Sequence, residues 1–590
     1  MKKQLAIIDS GYDIHGKNSD KVDVIEISLL ENGNYLYRET KGDEIGHGTA
    51  LVDRIVEKTN ENFSIYMIKI FSTNQIADSD ILVEALGYCY KNINPNILVI
   101  SLGVRETSFR MHKYIKQLSE SGTIIVSAFD NMKCLSYPAA FTEVIGVDIS
   151  EKYSLEGEYD VYYGDGIVDV CGADVFYHLN WINSSRIILR GSSFFVADIV
   201  AKIIDEKRKL ESKKDVLKVL EREAVNIYKC KKKIKIDEKT FIASIKKAVV
   251  LPLNKEVFSL AAFEDLCDFE IVDYYDIKYG MNVGKRIIDI KPYTGNEKVV
   301  KDIEKINWLD DFDTVICGHL GKASLYLKKN FLNELIDCCV KYRKKLYTFD
   351  GFLLKKRKTN FVFGKEYLFP FNYSNPAIHY RNGKMCLNST PTVLVVGTSS
   401  KQGKYTVQLN LIRYLRNKKI NVGAIGSEPS ALLFGFEEYL SYGYNNNCML
   451  NDEEIPLVVN EYVRKFQEEK KDLILLGEQS GVIPYQMLNT EMYSLKQMGI
   501  LLGLSPDSFI LCVNKYDDKK FVMRCIKYVE SLTCAKLLCI VRSETLNDDL
   551  ISNHSWGEIP GIDIFELSDK NLSRKLGETV INFYINSTDL

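Results

Sequence analysis

The feature that most constrains this chain is a repeated alternation of short apolar runs, each about one strand long, with stretches of helical periodicity. In the first 207 residues the runs fall at 4–8, 64–70, 96–102, 123–128 and 143–148. Unbroken apolar strands separated by helices need cover on both faces, which is the pattern of a parallel sheet flanked by helices. The rhythm recurs from AVVLPL through FEIVDYYD and DTVICGHLG to KKLYTFDG, and a third time from Pro391 onward. The expected fold class is therefore α/β throughout, in three parts. Residues 1–207 form a first parallel-sheet domain, and residues 248–376 a small Rossmann-like middle domain. Residues 377–590 form a third αβ domain. Between the first two, the run KRKLESKKDVLKVLERE marks 208–247 as a charged, solvated helical linker. The middle part has no GxGxxG fingerprint, so no dinucleotide is assigned to it.

Composition narrows the class of partner. With 46% hydrophobic and 26% charged residues and only 12 prolines, the 590-residue chain is that of a folded globular protein. A formal net charge of -2 supplies no general field for nucleic acid or an anionic membrane, so neither is expected as a partner. The 14 cysteines show no CxxC pair, and the adjacent Cys338 and Cys339 suit neither a disulfide framework nor a zinc site. The N-terminal MKKQLAIIDSGYD is interrupted by Asp9 too early for a secretory signal. No stretch approaches the ~18 apolar residues of a spanning helix. A cytoplasmic location is expected.

Four short segments carry the first candidate site: IIDSG, GHGTA, SAFDN and GSSFFVA. Asp9 ends an apolar run, which puts it at the carboxyl end of a strand, where sites in open αβ sheets collect. His47 lies between two glycines at a helix entry. Ser193 opens another helix, its hydroxyl near partly positive amides. Taken singly, these would be a turn aspartate, a structural histidine and a helix cap. Together, in the order Asp, His, Ser, they match one of the known triad arrangements.

With these motifs the first 207 residues resemble the subtilase family of serine proteases. Ser101-Leu102-Gly103 resembles its substrate-pairing strand, and Tyr137-Pro138-Ala139 another family segment. The resemblance implies that His47 takes the proton of Ser193 while Asp9 orients and stabilises the imidazole. It also implies that Asn131 donates to the oxyanion beside the Ser193 backbone N–H. Four residues depart from the family pattern. Asp130 stands where the family has Gly, and the bulky Phe129 precedes it. Ala197 replaces a usual Pro, and Asp198 a frequent His.

The second candidate site is PTVLVVGTSSKQGKYT, a strand, a small-residue loop and a helix start whose backbone amides can cradle phosphate. Gly397 to Gly403-Lys404 is one residue longer than the GxxxxGK[ST] spacing. Lys404 is placed for the β and γ phosphates, and Tyr405 stands at the usual magnesium-hydroxyl position, leaving Thr406 as the substitute. The loop resembles that of dethiobiotin synthetase and of cobyrinic acid amidating enzymes, which implies ATP or GTP with Mg²⁺. A strand at 473–476 ends in Gly477-Glu478-Gln479, making Glu478 the candidate magnesium- or water-organising acid. Asn514-Lys515-Tyr516-Asp517 matches the NKxD tetrapeptide of guanine readers, but an ordinary polar loop is the favoured reading and ATP stays ahead of GTP. Glu428, in GSEPS, is a loop acid that could face substrate.

These readings imply a serine endopeptidase acting on a peptide or protein substrate, joined to a nucleotide-binding domain. A further resemblance, to proteins of maturation systems for ribosomally made peptides, implies that a precursor or leader peptide is processed. The alternative is a degenerate protease domain that holds a peptide for ligase-like chemistry at the nucleotide site. With no propeptide stretch ahead of Asp9, restraint of the protease is expected from nucleotide binding.

Overall fold

The computed structural model describes residues 3–587 except 30–33, 41, 72–78, 164–167, 230–237, 255–256, 279–280, 292–293, 321–330, 350–360, 371–382, 441–449, 485–492 and 544–558. The chain forms two compact units. The first comprises Met1–Lys233 and Asn375–Leu387, the second Ile234–Ser374 and Asn388–Leu590.

The first unit is built on a 10-stranded sheet. Its strand order is Asn226–Lys229, Tyr159–Tyr163, Val168–Ala173, Ile145–Ser150, Ile124–Ala128, Ile97–Ile100, Lys3–Asp9, Phe63–Lys69, Val22–Leu29 and Tyr35–Glu39. All five apolar runs read from the sequence are strands of this sheet, running parallel side by side. Alternate residues of Lys3–Asp9 serve opposite faces. Leu5 and Ile7 pack with Leu51, Val52 and Ile55 of helix α1 (His47–Lys58), and with Val196, Ile199 and Val200 of the helix Ser192–Asp205. Ala6 and Ile8 pack on the other side with Leu82 and Leu86 of Ser79–Tyr88 and with Met111, Ile115 and Leu118 of Phe109–Glu120.

The segment read as a solvated linker differs from that expectation. Lys213–Leu220 is a helix capped by Ser212, and its Val216, Leu217 and Leu220 are buried in the first unit's core. The strand Asn226–Lys229 then pairs in parallel with Tyr159–Tyr163. Of the charged residues that dominate the run, Lys213 reaches inward to the buried Asp169 at 2.8 Å. A four-position apolar stripe (216, 217, 219 and 220) is enough to dock it.

The second unit holds two parallel sheets. One has six strands, ordered Lys301–Asp302, Glu270–Asp276, Lys247–Leu251, Thr314–Cys317, Lys345–Thr348 and Tyr367–Leu368. The other has seven, ordered Glu438–Tyr439, Val422–Gly426, Leu473–Gly477, Thr392–Gly397, Ser508–Asn514, Lys536–Ser543 and Ile564–Glu566. The middle and last parts share one apolar core, in which Tyr347 and Phe349 meet the cluster that contains Val393, Val395 and Phe434. Among the described residues no helix is long and apolar enough to cross a membrane.

Candidate functional site

In the first unit, Asp9 is the last residue of its strand and is fully buried. His47 is the first residue of α1, and Ser193 the second residue of the helix Ser192–Asp205. The structure brings the three together. His47 Nδ1 lies 2.8 Å from Asp9 Oδ2 and 3.0 Å from Oδ1, and His47 Nε2 lies 2.9 Å from Ser193 Oγ. With the Nδ1 proton donated to the carboxylate, the Nε2 lone pair faces the serine hydroxyl.

Burial alone would raise the Asp9 carboxyl. The charge and hydrogen bond of His47 and the donors Ser101 Oγ and Ser10 N–H outweigh it and hold Asp9 below the ordinary carboxylate value. Burial would lower His47, but the charge and hydrogen bond of Asp9, with the charge of Asp43, raise it above the ordinary imidazole value.

The local sequence explains how His47 is aimed. Asp43 Oδ1 accepts the Gly46 N–H at 2.8 Å, and its Oδ2 accepts the Thr49 N–H at 3.0 Å and the Thr49 hydroxyl at 2.7 Å. It thereby anchors the start of α1, where amides lack helical partners. Gly48 is required by close approach, since a Cβ there would lie 2.3 Å from the Gly11 carbonyl oxygen. Phe194 packs its ring 5.1 Å from that of His47. Sequence reasoning missed Asp43 and the roles of Ser10 and Ser101 as donors to Asp9. An acid three residues before the helix entry was a usable signal for Asp43. Nothing in the sequence marks Ser101 as a partner of Asp9.

Asn131 stands at the same site. Its Oδ1 accepts the Ser192 N–H and the Ser192 hydroxyl, each at 3.4 Å. A Cβ on Gly191 would sit 3.4 Å from both Asn131 Nδ2 and Oδ1 and 3.6 Å from Ser193 Oγ, so the space there is bounded by the side-chain amide and the nucleophile. The departures from the family pattern have partners of their own. Asp130 faces Arg105 at 3.7 Å, and Phe129 offers its carbonyl to Ser192 Oγ at 2.6 Å. Asp198 is bonded at 2.7 Å to Arg54, which projects from α1 and stacks over Tyr177.

In the second unit, the strand Thr392–Gly397 leads through the glycine loop into the helix Lys404–Asn417. Gly403 holds the turn with φ 83°, a conformation a side chain resists. Lys404 Nζ folds back across the loop, donating to the Ser399 and Ser480 carbonyls at 2.7 Å each. Gly397 lies against it, since a Cβ there would be 3.0 Å from that Nζ. Thr406 is half-buried in the first turn, and Tyr405 turns away to bond Ser430 and pack on Phe434 and Phe436.

Glu478 follows the neighbouring strand Leu473–Gly477 and is 1% exposed, with neither carboxylate oxygen hydrogen-bonded. Burial pushes it up to about 8 against the pull of Lys404. The NKxD tetrapeptide points inward. Asp517 Oδ2 accepts from the Thr398 hydroxyl, from Gln402 Nε2 at 3.1 Å and from the Asn514 N–H at 2.8 Å, so it braces the loop from beneath. Glu428 is half-buried beyond the strand Val422–Gly426, where its carbonyl accepts the Ala431 N–H at 2.9 Å.

One family model is similar to part of the chain. A family model described as the P-loop domain of a domain of unknown function (DUF1611_C) matches residues 379–529. No curated protein matches the chain. Among solved structures, a psychrophilic protease is similar at 18% identity and a TM-score of 0.30, over 37% of this chain and 82% of that one. Sphericase is similar at 15% identity and a TM-score of 0.31, over 38% of this chain and 84% of that one.

Proposed function

We propose that the first unit is a subtilisin-like serine endopeptidase and that the second binds a nucleoside triphosphate. The observation that carries the first part is the continuous relay from Asp9 through His47 to Ser193 at 2.8 and 2.9 Å. In this reading Ser193 Oγ attacks a peptide carbonyl as its proton passes to His47 Nε2. Asp9, already ionised, stabilises the imidazolium without taking the proton. The carbonyl oxygen becomes an oxyanion that meets Asn131 Nδ2 and the Ser193 N–H. Collapse returns the proton from His47 to the leaving amine, and water then hydrolyses the acyl-enzyme by the same steps. The substrate is a peptide or protein, and a precursor whose leader is removed in the cytoplasm fits the chemistry.

The second site fits a nucleotide with its magnesium. Glu478 carries two buried carboxylate oxygens without protein partners, the donors a hard cation takes. Lys404, Thr406 and the amides between Gly397 and Gly403 would hold the phosphates and the metal's remaining contacts. When bound, the cation would neutralise phosphate charge. ATP is preferred to GTP because Asp517 is 2% exposed and its Oδ2 is committed to Thr398, Gln402 and the Asn514 N–H beneath the loop.

Labelling with a fluorophosphonate probe tests the protease reading. Wild type should label and Ser193→Ala and His47→Ala should not, with ATP or GTP added in parallel. An unlabelled wild type under every condition removes the endopeptidase reading and leaves the peptide-holding alternative.

A further inference from the structure

The first unit is completed by residues that lie far beyond Ser193 in sequence. The short run Gly383 to Leu387 belongs to this unit, although the chain has by then already built the six-stranded sheet of the second. Lys384 is 1% exposed, and its Nζ lies 3.1 Å from Asp148 Oδ2, itself almost fully buried on the strand Ile145–Ser150. The same Nζ sits 5.3 Å from the centroid of the Phe129 ring. The Met385 carbonyl accepts the Leu135 N–H at 3.1 Å, and Cys386 is buried beside Phe129 and Leu135 in one apolar cluster.

Phe129 and Leu135 are the two stems of the turn that presents Asn131. The turn is closed internally by Lys133 N–H to the Asp130 carbonyl and by Cys134 N–H to the Asp130 carboxylate. Its tip is exposed and its inner stem holds Ser192 through the Phe129 carbonyl. The Phe129 N–H bonds the Val147 carbonyl of the sheet at 2.9 Å and the Asp130 N–H bonds Ser136 Oγ at 3.0 Å, and the segment 384–386 adds a contact on each stem. A lysine removed from water is costly unless paired, so the Lys384–Asp148 contact specifies one seating of this segment.

We infer that residues 384–386 are a positioning strap for the Asn131 turn, setting the oxyanion donor against Ser193 and Ser192 from a remote part of the chain. The inference rests on the endopeptidase reading for its catalytic consequence, but the seating of the turn is independent of that reading. The strap touches no substrate. It acts through Asn131, and its removal should lower kcat while leaving KM nearly unchanged.

The test uses the full-length protein as wild type, Lys384→Met, Lys384→Arg, Asn131→Ala and the double variant Lys384→Met/Asn131→Ala. Hydrogen exchange is read over 129–137, and hydrolysis of a peptide ester gives kcat and KM. Asn131→Ala should lower kcat by roughly 10²–10³. Lys384→Met should speed exchange at Leu135 and lower kcat tenfold or more, Lys384→Arg should restore most of both, and the double variant should fall no lower than Asn131→Ala. Unchanged exchange at Leu135 in Lys384→Met overturns the strap, as does a multiplicative loss in the double variant. If Lys384→Met fails to fold, Lys384→Arg with Asp148→Asn supplies the exchange comparison. A wild type without hydrolysis defeats the endopeptidase reading alone, and the exchange result still decides the strap.

Discussion

His47 is held between two demands. Asp9 and Asp43 favour its charged form, which raises it above the ordinary 6.5, whereas a general base must be neutral. The rate of Ser193 labelling should therefore rise with pH along a limb whose midpoint lies above that of a free imidazole, and Asp9→Asn should move the midpoint down while slowing the reaction. A midpoint below 6.5 in wild type would contradict the pairing. The stability linkage has the opposite direction. The raised imidazole adds stability that is fully present below pH 6.5 and fades as pH rises through its folded value. Glu478, in the second unit, shows linkage in the same direction. Its carboxyl is pushed up to about 8, so the folded protein holds a proton that the unfolded chain releases near 4.5. Its contribution to stability falls as pH rises between those values. Cation binding needs the carboxylate, so Mg²⁺-dependent nucleotide affinity should climb about tenfold per pH unit below 8, and Glu478→Gln should flatten that slope. Calorimetry across pH 6–9 would show either outcome.

At the scale of elements, two helices carry the first site, and a buried ion pair joins them. Arg54 of α1 and Asp198 of Ser192–Asp205 are each less than a tenth exposed and meet at 2.7 Å. Burial pushes the Asp198 carboxyl up more than Arg54 pulls it down, so the pair sets the register of the two helices more than it adds net stability. Arg54→Met alone should cost about 3–5 kcal/mol by leaving Asp198 unpaired, and Arg54→Met with Asp198→Leu should recover most of that loss in a urea titration. Equal losses for single and double variants would show that the pair does not register the helices. This pair was invisible in the sequence because the charges lie 144 positions apart and neither sits in a pattern. The strands were legible for the opposite reason. Runs such as residues 5–8 and 97–100 are apolar at every position, which only an element covered on both faces can use. Helix starts at His47 and Ser193 were legible from their flanking glycines. The docking of Lys213–Leu220 was not, because charged residues dominate the longer run KRKLESKKDVLKVLERE in which its apolar stripe lies.

At the scale of the whole molecule, the chain passes between its two units three times, at 233, 374 and 387. The third passage has the closest consequence for function. Leu387 ends the segment that braces the Asn131 turn, and the strand that delivers Gly397 and the phosphate loop begins at Thr392. Residues 388–391 are all that separate the two in sequence. Lys404 is already committed to the Ser399 and Ser480 carbonyls at 2.7 Å, contacts it must exchange to reach a phosphate, so occupancy by nucleotide entails rearrangement of the loop. A coupling of ordinary allosteric size changes a rate or affinity by about 5-fold or more. Saturating ATP with Mg²⁺ should therefore alter the rate of Ser193 labelling by at least that factor in wild type and not in Lys404→Ala. Linkage requires the converse in binding: a peptide held at the first site should shift nucleotide affinity by the same factor that nucleotide shifts peptide affinity, in the Ser193→Ala protein where no turnover intervenes. Equal peptide affinities with and without nucleotide in that variant would mean that the two units work independently, and that the strap is a fixed part of the first unit rather than its control.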